Sequence, residues 1–115
     1  MSFPHIEGDA DFLAVMQECD RLLTSKGHDY CQGASVGSDR ERLKNFYRNA
    51  EKLGIPARTV LAVYLGKHLD AIETFLKNGQ VESEPIEGRI ADAINYLLLL
   101  AKMVRVEQRD GGGGK

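Results

Sequence analysis

Polar side chains that could carry out chemistry occur in four separate segments of the chain, each within or beside an apolar helical pattern. They are Lys26, Asp29 and Tyr30, then Asp39, then Lys67 and His68, and finally Asp92 and Asn95. Carboxylate oxygens are ligands that Mg²⁺ prefers, and a lysine ammonium suits a phosphate group. A tyrosine ring offers a surface on which a nucleobase can stack. If these side chains meet, they therefore suit a nucleotide-like ligand, with Asp39 and Asp92 as candidate Mg²⁺ ligands.

Each of these residues also has a purely structural explanation. Lys26 stands where the first helix is expected to end, a position that favours a cation, and Asp39 stands in the first turn of the second helix, which favours a carboxylate. His68 lies in the middle of an apolar face, where a histidine is commonly a satisfied core residue. A solvated end of a helical bundle would show a similar set, so spacing alone leaves both interpretations open.

Motifs of common enzyme classes are missing from the sequence. It contains no P-loop, no GxGxxG, HExxH or GxSxG pattern, and no nucleophile with a recognisable base beside it. The two cysteines, Cys19 and Cys31, form no metal-binding pattern and are expected to be reduced thiols. These observations remove the most frequent enzyme assignments without excluding catalysis.

Apolar periodicity predicts four helices that would have to position these residues. The first runs from Asp9 or Asp11 to Ser25 and ends at Gly27, after an irregular lead over residues 1–8. A long loop, His28–Gly37, connects it to a second helix, which opens with a capping box at Ser38 and ends before Gly54. The third is predicted from Ala57 to about Lys77, ended by Asn78-Gly79.

The fourth helix, predicted from Ser83 to Arg105, is apolar on two sides. Its main stripe contains Ile86, Ile90, Ala93, Ile94, Leu97, Ala101 and Val104. Leu99, Leu100 and Met103 occupy the other side, so we expect other helices or a second subunit to cover both. Asp92 and Asn95 lie close together, away from the main stripe.

The fold class that follows is all-α. We predict a single four-helix bundle-like domain over residues 1–108, forming a homo-oligomer. The last residues, EQRDGGGGK, lack apolar periodicity and are predicted to be disordered, with residues 109–115 forming a Gly-rich tail.

Composition narrows the possible partners. A chain of 115 residues with a net charge of −2 provides no basic field for non-specific nucleic-acid binding. No apolar run approaches the roughly 20 residues of a membrane span, and no cationic-then-apolar leader opens the sequence. We therefore expect a cytoplasmic protein without membrane association.

Several short motifs resemble a known family when they are taken in order. They are Lys26-x-x-Asp29-Tyr30, Asn45-Phe46, Lys67-His68 and Asp92-x-x-Asn95-Tyr96. From the first helix to Val104 the chain is similar to the mostly phage-encoded nucleotide modification associated domain type one, a domain of unknown function. It more distantly resembles the MazG-type all-α NTP pyrophosphohydrolases, which hold Mg²⁺ between helices. Those enzymes use Glu-x-x-Glu followed by Glu-x-x-Asp, whereas this chain has Lys67-His68-x-Asp70 and Arg89-x-x-Asp92.

Three functions are possible, and the resemblances imply the first two. In the first, the protein binds a nucleotide or nucleotide-derived small molecule and serves modified-nucleotide metabolism or sequesters a nucleotide messenger. Lys26, Lys67 and Arg89 would contact phosphates, Tyr30 or His68 would contact the base, and Asp29, Asp39 and Asp92 would orient the cations or hold Mg²⁺. Asn45 and Asn95 join this ligand-binding set as motif residues. In the second, the protein is a Mg²⁺-dependent NTP pyrophosphohydrolase, and in the third an oligomeric helical adaptor without a small ligand. The shortage of carboxylates favours the binder over the hydrolase.

Overall fold

The described residues of this protein form five α-helices. The computed structural model describes the backbone of residues 2–31, 39–79 and 85–110 and, within these, the side chains outside residues 25–31 and 39–42. The helices are α1 (Pro4–Glu7), α2 (Ala10–Cys31), α3 (Asp39–Leu53), α4 (Ala57–Asn78) and α5 (Ile86–Asp110). No strand occurs in these ranges. The all-α class is therefore confirmed, and residues 4–7, predicted to be irregular, form one additional helical turn.

Helix α2 is longer than the sequence indicated. Its start agrees with the prediction, because Asp9 Oδ1 accepts hydrogen bonds from the backbone N–H groups of Asp11 and Phe12, both at 3.0 Å. The end of α2 differs from the prediction, since the helix continues through Gly27 to Cys31. A glycine inside a helix costs only about 1 kcal/mol, which adjoining helical residues can offset. The prediction of a helix end at Gly27 was therefore wrong, and the remainder of the predicted loop, residues 32–37, lies outside the described residues.

Two glycines end helices where the sequence predicted. Gly54 follows α3 with φ of 69°, and Gly79 follows α4 with φ of 78°. Both are in the left-handed region that glycine adopts without steric cost. Their N–H groups donate to Ala50 O at 2.8 Å and to Phe75 O at 2.6 Å, which closes the last turn of each helix.

Helix α5 extends beyond its predicted end. Residues 107–110 belong to the helix, so the prediction of disorder was wrong for them, whereas residues 111–115 lie outside the described part. Val106 is buried, and Glu107 Oε1 lies 3.8 Å from Arg58 Nη1 of α4. These contacts hold the last turns of α5 against the neighbouring helix.

The core lies between α3, α4 and α5, and its packing determines which side of α5 faces inward. Its most buried side chains are Leu43, Phe46, Leu61, Leu99 and Met103. The buried side of α5 contains Asp92 and Asn95, whereas Ile90, Leu97 and Val104 of the predicted main stripe are 36%, 50% and 41% exposed. Because both sides of α5 are apolar, periodicity could not decide which side faces inward. None of the helices in the described residues is long and apolar enough to cross a membrane.

Candidate functional site

Polar residues from α4 and α5 meet inside the helical packing. His68 is 7% exposed, Asp92 4% and Asn95 3%, and these three are the buried polar residues among those described. On α5 the buried Ala91 and Ala93 flank Asp92, so the packing of this helix also carries that side chain inward. With Arg89, four of the ten predicted site residues lie in this cluster.

His68 of α4 contacts two residues of α5. Its Nδ1 lies 3.4 Å from Arg89 Nη1 and 3.9 Å from Asp92 Oδ2. A guanidinium only donates hydrogen bonds, so Nδ1 accepts from Arg89 in the tautomer of His68 that carries its proton on Nε2. Arg89 and Asp92 are three residues apart on α5 and therefore neighbours on its surface. The cluster thus combines a guanidinium, a carboxylate and an imidazole.

The imidazole of His68 belongs to a group of aromatic rings. It stacks on Tyr96 with ring centroids 5.4 Å apart and an interplanar angle of 27°. Tyr96 in turn contacts Phe46 at 6.3 Å in an edge-to-face arrangement and Tyr64 at 6.2 Å. These aromatic contacts fix the ring plane of His68, so its nitrogens have defined directions.

Asn95 joins α5 to α2. Its Nδ2 donates a hydrogen bond to the carbonyl oxygen of Cys19 at 2.9 Å. Its Oδ1 has no hydrogen-bond partner in the part of the chain that the structure describes, and it is shielded from solvent. A buried acceptor without a partner costs about 1–3 kcal/mol, so a polar group that reaches this oxygen would be bound favourably.

Cys19 lies on the α2 side of the same cluster. It is 2% exposed, and its thiol contacts Ala91 O at 3.8 Å. Burial raises the pKa of this thiol, and the negative charges of Glu18 and Asp92 raise it further. The thiol therefore stays protonated at neutral pH, which makes Cys19 a packing residue and a poor nucleophile.

A groove leads from the surface to the cluster. It lies between α2 and the start of α5, has a cavity volume of about 620 Å³ and is lined by Ala14, Glu18, Arg21, Leu22, Pro85, Glu87, Gly88 and Asp92. Arg21 Nε and Nη2 donate to Glu18 Oε1 and Oε2 at 2.9 and 2.7 Å, and these bonds lower the pKa of Glu18. Its wall thus presents three carboxylates and one guanidinium.

The other predicted site residues do not join this cluster or lie outside the described side chains. Asn45 is half-buried on α3 and accepts a hydrogen bond from Arg48 Nη2 at 3.3 Å, and Lys67 is exposed on α4. The side chains of Lys26, Asp29, Tyr30 and Asp39 are outside the described set, so their convergence remains a prediction. A metal ion held between Asp39 and Asp92 also remains a prediction, because the side chain of Asp39 is outside the described set. Within the described residues, no group of three or more His, Cys, Asp or Glu could hold a metal ion.

Comparison of the chain with protein-family models, with curated proteins and with solved structures found no match. The site therefore has to be interpreted from its own geometry.

Three contributors to the site were not identified from the sequence. Cys19 supplies a backbone acceptor, Tyr96 stacks on His68, and Arg21 lines the groove. Tyr96 follows Asp92 by four residues and could have been found from that helical spacing. The role of Cys19 carries no sequence signal, because a backbone carbonyl is present at every position.

Proposed function

We propose that this protein binds a nucleotide or nucleotide-derived small molecule in the groove between α2 and α5. The observation that carries the proposal is the unpartnered Oδ1 of Asn95 within the buried cluster next to a groove that contains Asp92. An amide oxygen of this kind accepts a hydrogen bond from the amino or imino group of a nucleobase, which has several such donors. The stacked pair of His68 and Tyr96 belongs to the same buried cluster, where His68 lies 3.9 Å from the Asp92 carboxylate, although neither ring lines the groove.

The charges of the groove favour particular parts of such a ligand. Glu18, Glu87 and Asp92 are acceptors for ribose hydroxyls and base amino groups, but they repel an unshielded phosphate. Phosphate binding would then depend on Arg21, on Arg89, or on Mg²⁺ between the phosphate and the carboxylates. The predicted phosphate contacts Lys26 and Lys67 remain part of this proposal, as does kinship with the phage-encoded domain.

Thermal unfolding measures this binding directly. Nucleosides, nucleoside mono- and triphosphates and cyclic dinucleotides are each added with and without Mg²⁺. A ligand that binds only the folded state at 100 times its Kd stabilises the protein by about 2.7 kcal/mol. Asn95→Ala should lose most of this stabilisation, whereas Asn49→Ala, the same substitution at a half-buried position of α3, should keep it. If no ligand of this panel raises the unfolding temperature of the wild-type protein, the proposal is wrong.

Two alternatives give different results in related assays. For a Mg²⁺-dependent pyrophosphohydrolase, Asp92 at the groove would hold the metal, so pyrophosphate release from a triphosphate should occur with Mg²⁺ and disappear in Asp92→Ala. For a helical adaptor, an exposed apolar surface would serve a protein partner, and Leu97 is half-exposed. The exposed apolar surface around Leu97 also supports self-association, so we include a homo-oligomer in the proposal, whether or not a small ligand binds.

A further inference from the structure

The outward side of α5 is apolar along most of its length. The residues that form it are Ile86, Ile90, Ile94, Leu97, Ala101 and Val104, at successive spacings of four, four, three, four and three. This places them on one stripe opposite the buried Leu99. A helix at the surface of a soluble domain normally carries charged residues there, so the stripe is unusual for an uncovered surface.

Helix α4 has a second apolar stripe of the same kind. It contains Ala62, Leu65, Leu69, Ile72 and Leu76, spaced by three and four residues, with Leu69 43% and Leu76 75% exposed. Arg58 is the preceding member of this stripe by spacing, and it pairs with Glu107 of α5. The stripe therefore borders α5, and together the two stripes form one surface, which we call the outer face.

The outer face is large enough for a stable interface. The 22 residues of α4 extend about 33 Å, and two helices packed 8–10 Å apart present a width of about 20 Å. The resulting footprint is about 650 Å² on each copy, or about 1,300 Å² in total when two copies meet. Specific protein interfaces usually bury about 1,200–2,000 Å² in total.

The charges beside the stripe of α5 indicate which partner would cover it. Glu87 and Arg105 are both exposed and are 18 residues apart, which is five helical turns, so they lie on the same edge of α5. In an antiparallel pair of α5 helices that cross near Tyr96 and Leu97, Glu87 of each copy lies beside Arg105 of the other. In a parallel pair this edge of the two helices would fall on opposite sides of the interface, and Glu87 of one copy would not meet Arg105 of the other.

We propose that two copies of this chain associate through their outer faces, with the two α5 helices antiparallel and Leu97 near the two-fold axis. Ile90 of one copy then packs against the Val104 region of the other, and the spacing of the stripe supports regular packing of this kind. This dimer specifies the self-association in the proposed function, and it does not depend on ligand binding.

Sedimentation equilibrium without ligand tests the dimer. The wild-type protein should dimerise, and Leu97→Asp should raise the dimer Kd at least about 100-fold, because a charge at the centre of an apolar interface is left desolvated. Leu53→Asp is the matched control, since Leu53 is 67% exposed on α3, away from the outer face. Circular dichroism of each variant verifies that the helices are intact.

A charge exchange tests the antiparallel arrangement. Glu87→Arg and Arg105→Glu alone should each raise the dimer Kd about tenfold, because each creates two like-charged contacts in the symmetric dimer. The double variant should return the Kd to near the wild-type value. A wild-type monomer, or a dimer indifferent to Leu97→Asp, would overturn the proposal, and absence of rescue in the double variant would overturn the antiparallel arrangement.

Ligand binding is measured separately on Leu97→Asp by the same thermal assay. Leu97 is outside the groove and the buried cluster, so nucleotide-dependent stabilisation should persist in this variant when it folds. If the wild-type protein binds nucleotides but does not dimerise, the dimer proposal fails. If it dimerises but binds no nucleotide, the binding proposal fails.

Discussion

Asn95→Ala should change the stability of the ligand-free protein very little, although Asn95 is 3% exposed. The substitution removes the hydrogen bond to Cys19 O, worth about 1 kcal/mol, and leaves a cavity of a few atoms that costs about another 1 kcal/mol. It also removes the unpartnered Oδ1, a gain of about 1–3 kcal/mol, and introduces the best helix former, a gain of about 0.5 kcal/mol. These contributions nearly cancel, so we expect a change between a loss of about 0.5 and a gain of about 1.5 kcal/mol.

Leu99→Ala provides the comparison at a similarly buried position one turn along α5. Leu99 is 2% exposed, and removal of its side chain should lower the free energy of unfolding by about 2–5 kcal/mol. Urea unfolding at constant m-value measures both variants on the same scale. Both positions are almost completely hidden from solvent, so Leu99→Ala shows what the loss of a well-packed apolar side chain costs in this helix.

A loss of 3 kcal/mol or more in Asn95→Ala would refute this reasoning. It would mean that Oδ1 is satisfied in the ligand-free protein and that Asn95 serves the packing of α2 against α5. The same variant would then no longer be a selective test of ligand binding, and the argument for a site at this amide would fail.

Four further perturbations follow from the structure. His68→Leu keeps a similar side-chain volume, so the far-ultraviolet circular dichroism spectrum should be unchanged. Stabilisation by nucleotides should fall in this variant if His68 lines the site. Unchanged stabilisation would mean that His68 is only a core residue. In a Cys31→Ser background, alkylation of Cys19 should be slow at pH 7, because the buried thiol is held in its protonated form. The rate should rise only above the usual thiol pKa of about 8.5. Rapid alkylation at pH 7 would contradict the burial and the raised pKa of Cys19. Gly54→Ala should lower the free energy of unfolding by about 1–2 kcal/mol, because φ of 69° is unfavourable for a side chain. Gly66→Ala within α4 should raise it by about 0.5–1 kcal/mol, since nothing lies within 4 Å of the added methyl group; equal effects at the two glycines would contradict the backbone argument.

Helix boundaries could be predicted where a local conformational requirement fixes them. Gly54 and Gly79 end helices because each occupies a left-handed conformation, and the residue type itself signals that conformation. Gly27 is the same residue type but lies inside α2. A glycine permits a helix end without requiring one, so the sequence could not distinguish this position from the other two.

The buried cluster was predictable in part. Helical spacing identified His68 on an apolar face and placed Asp92 near Asn95, and the structure brings these residues together with Arg89. Helical spacing could not show which side of α5 faces the core, because apolar residues occupy both sides. The polar residues Asp92 and Asn95 lie on the inner side. The contact of Asn95 with Cys19 joins positions 76 residues apart, and only the packing of α2 on α5 determines it.

The aromatic group around His68 provides an optical signal for the site. The chain contains no tryptophan and four tyrosines, and two of those tyrosines, Tyr64 and Tyr96, lie against each other next to His68. Near-ultraviolet circular dichroism of the unlabelled protein should therefore be sensitive to changes in the ring geometry beside His68. Because nucleobases absorb in the same range, occupation of the site would be followed as the difference between the spectrum of the mixture and the sum of the separate spectra, without a fluorescent probe.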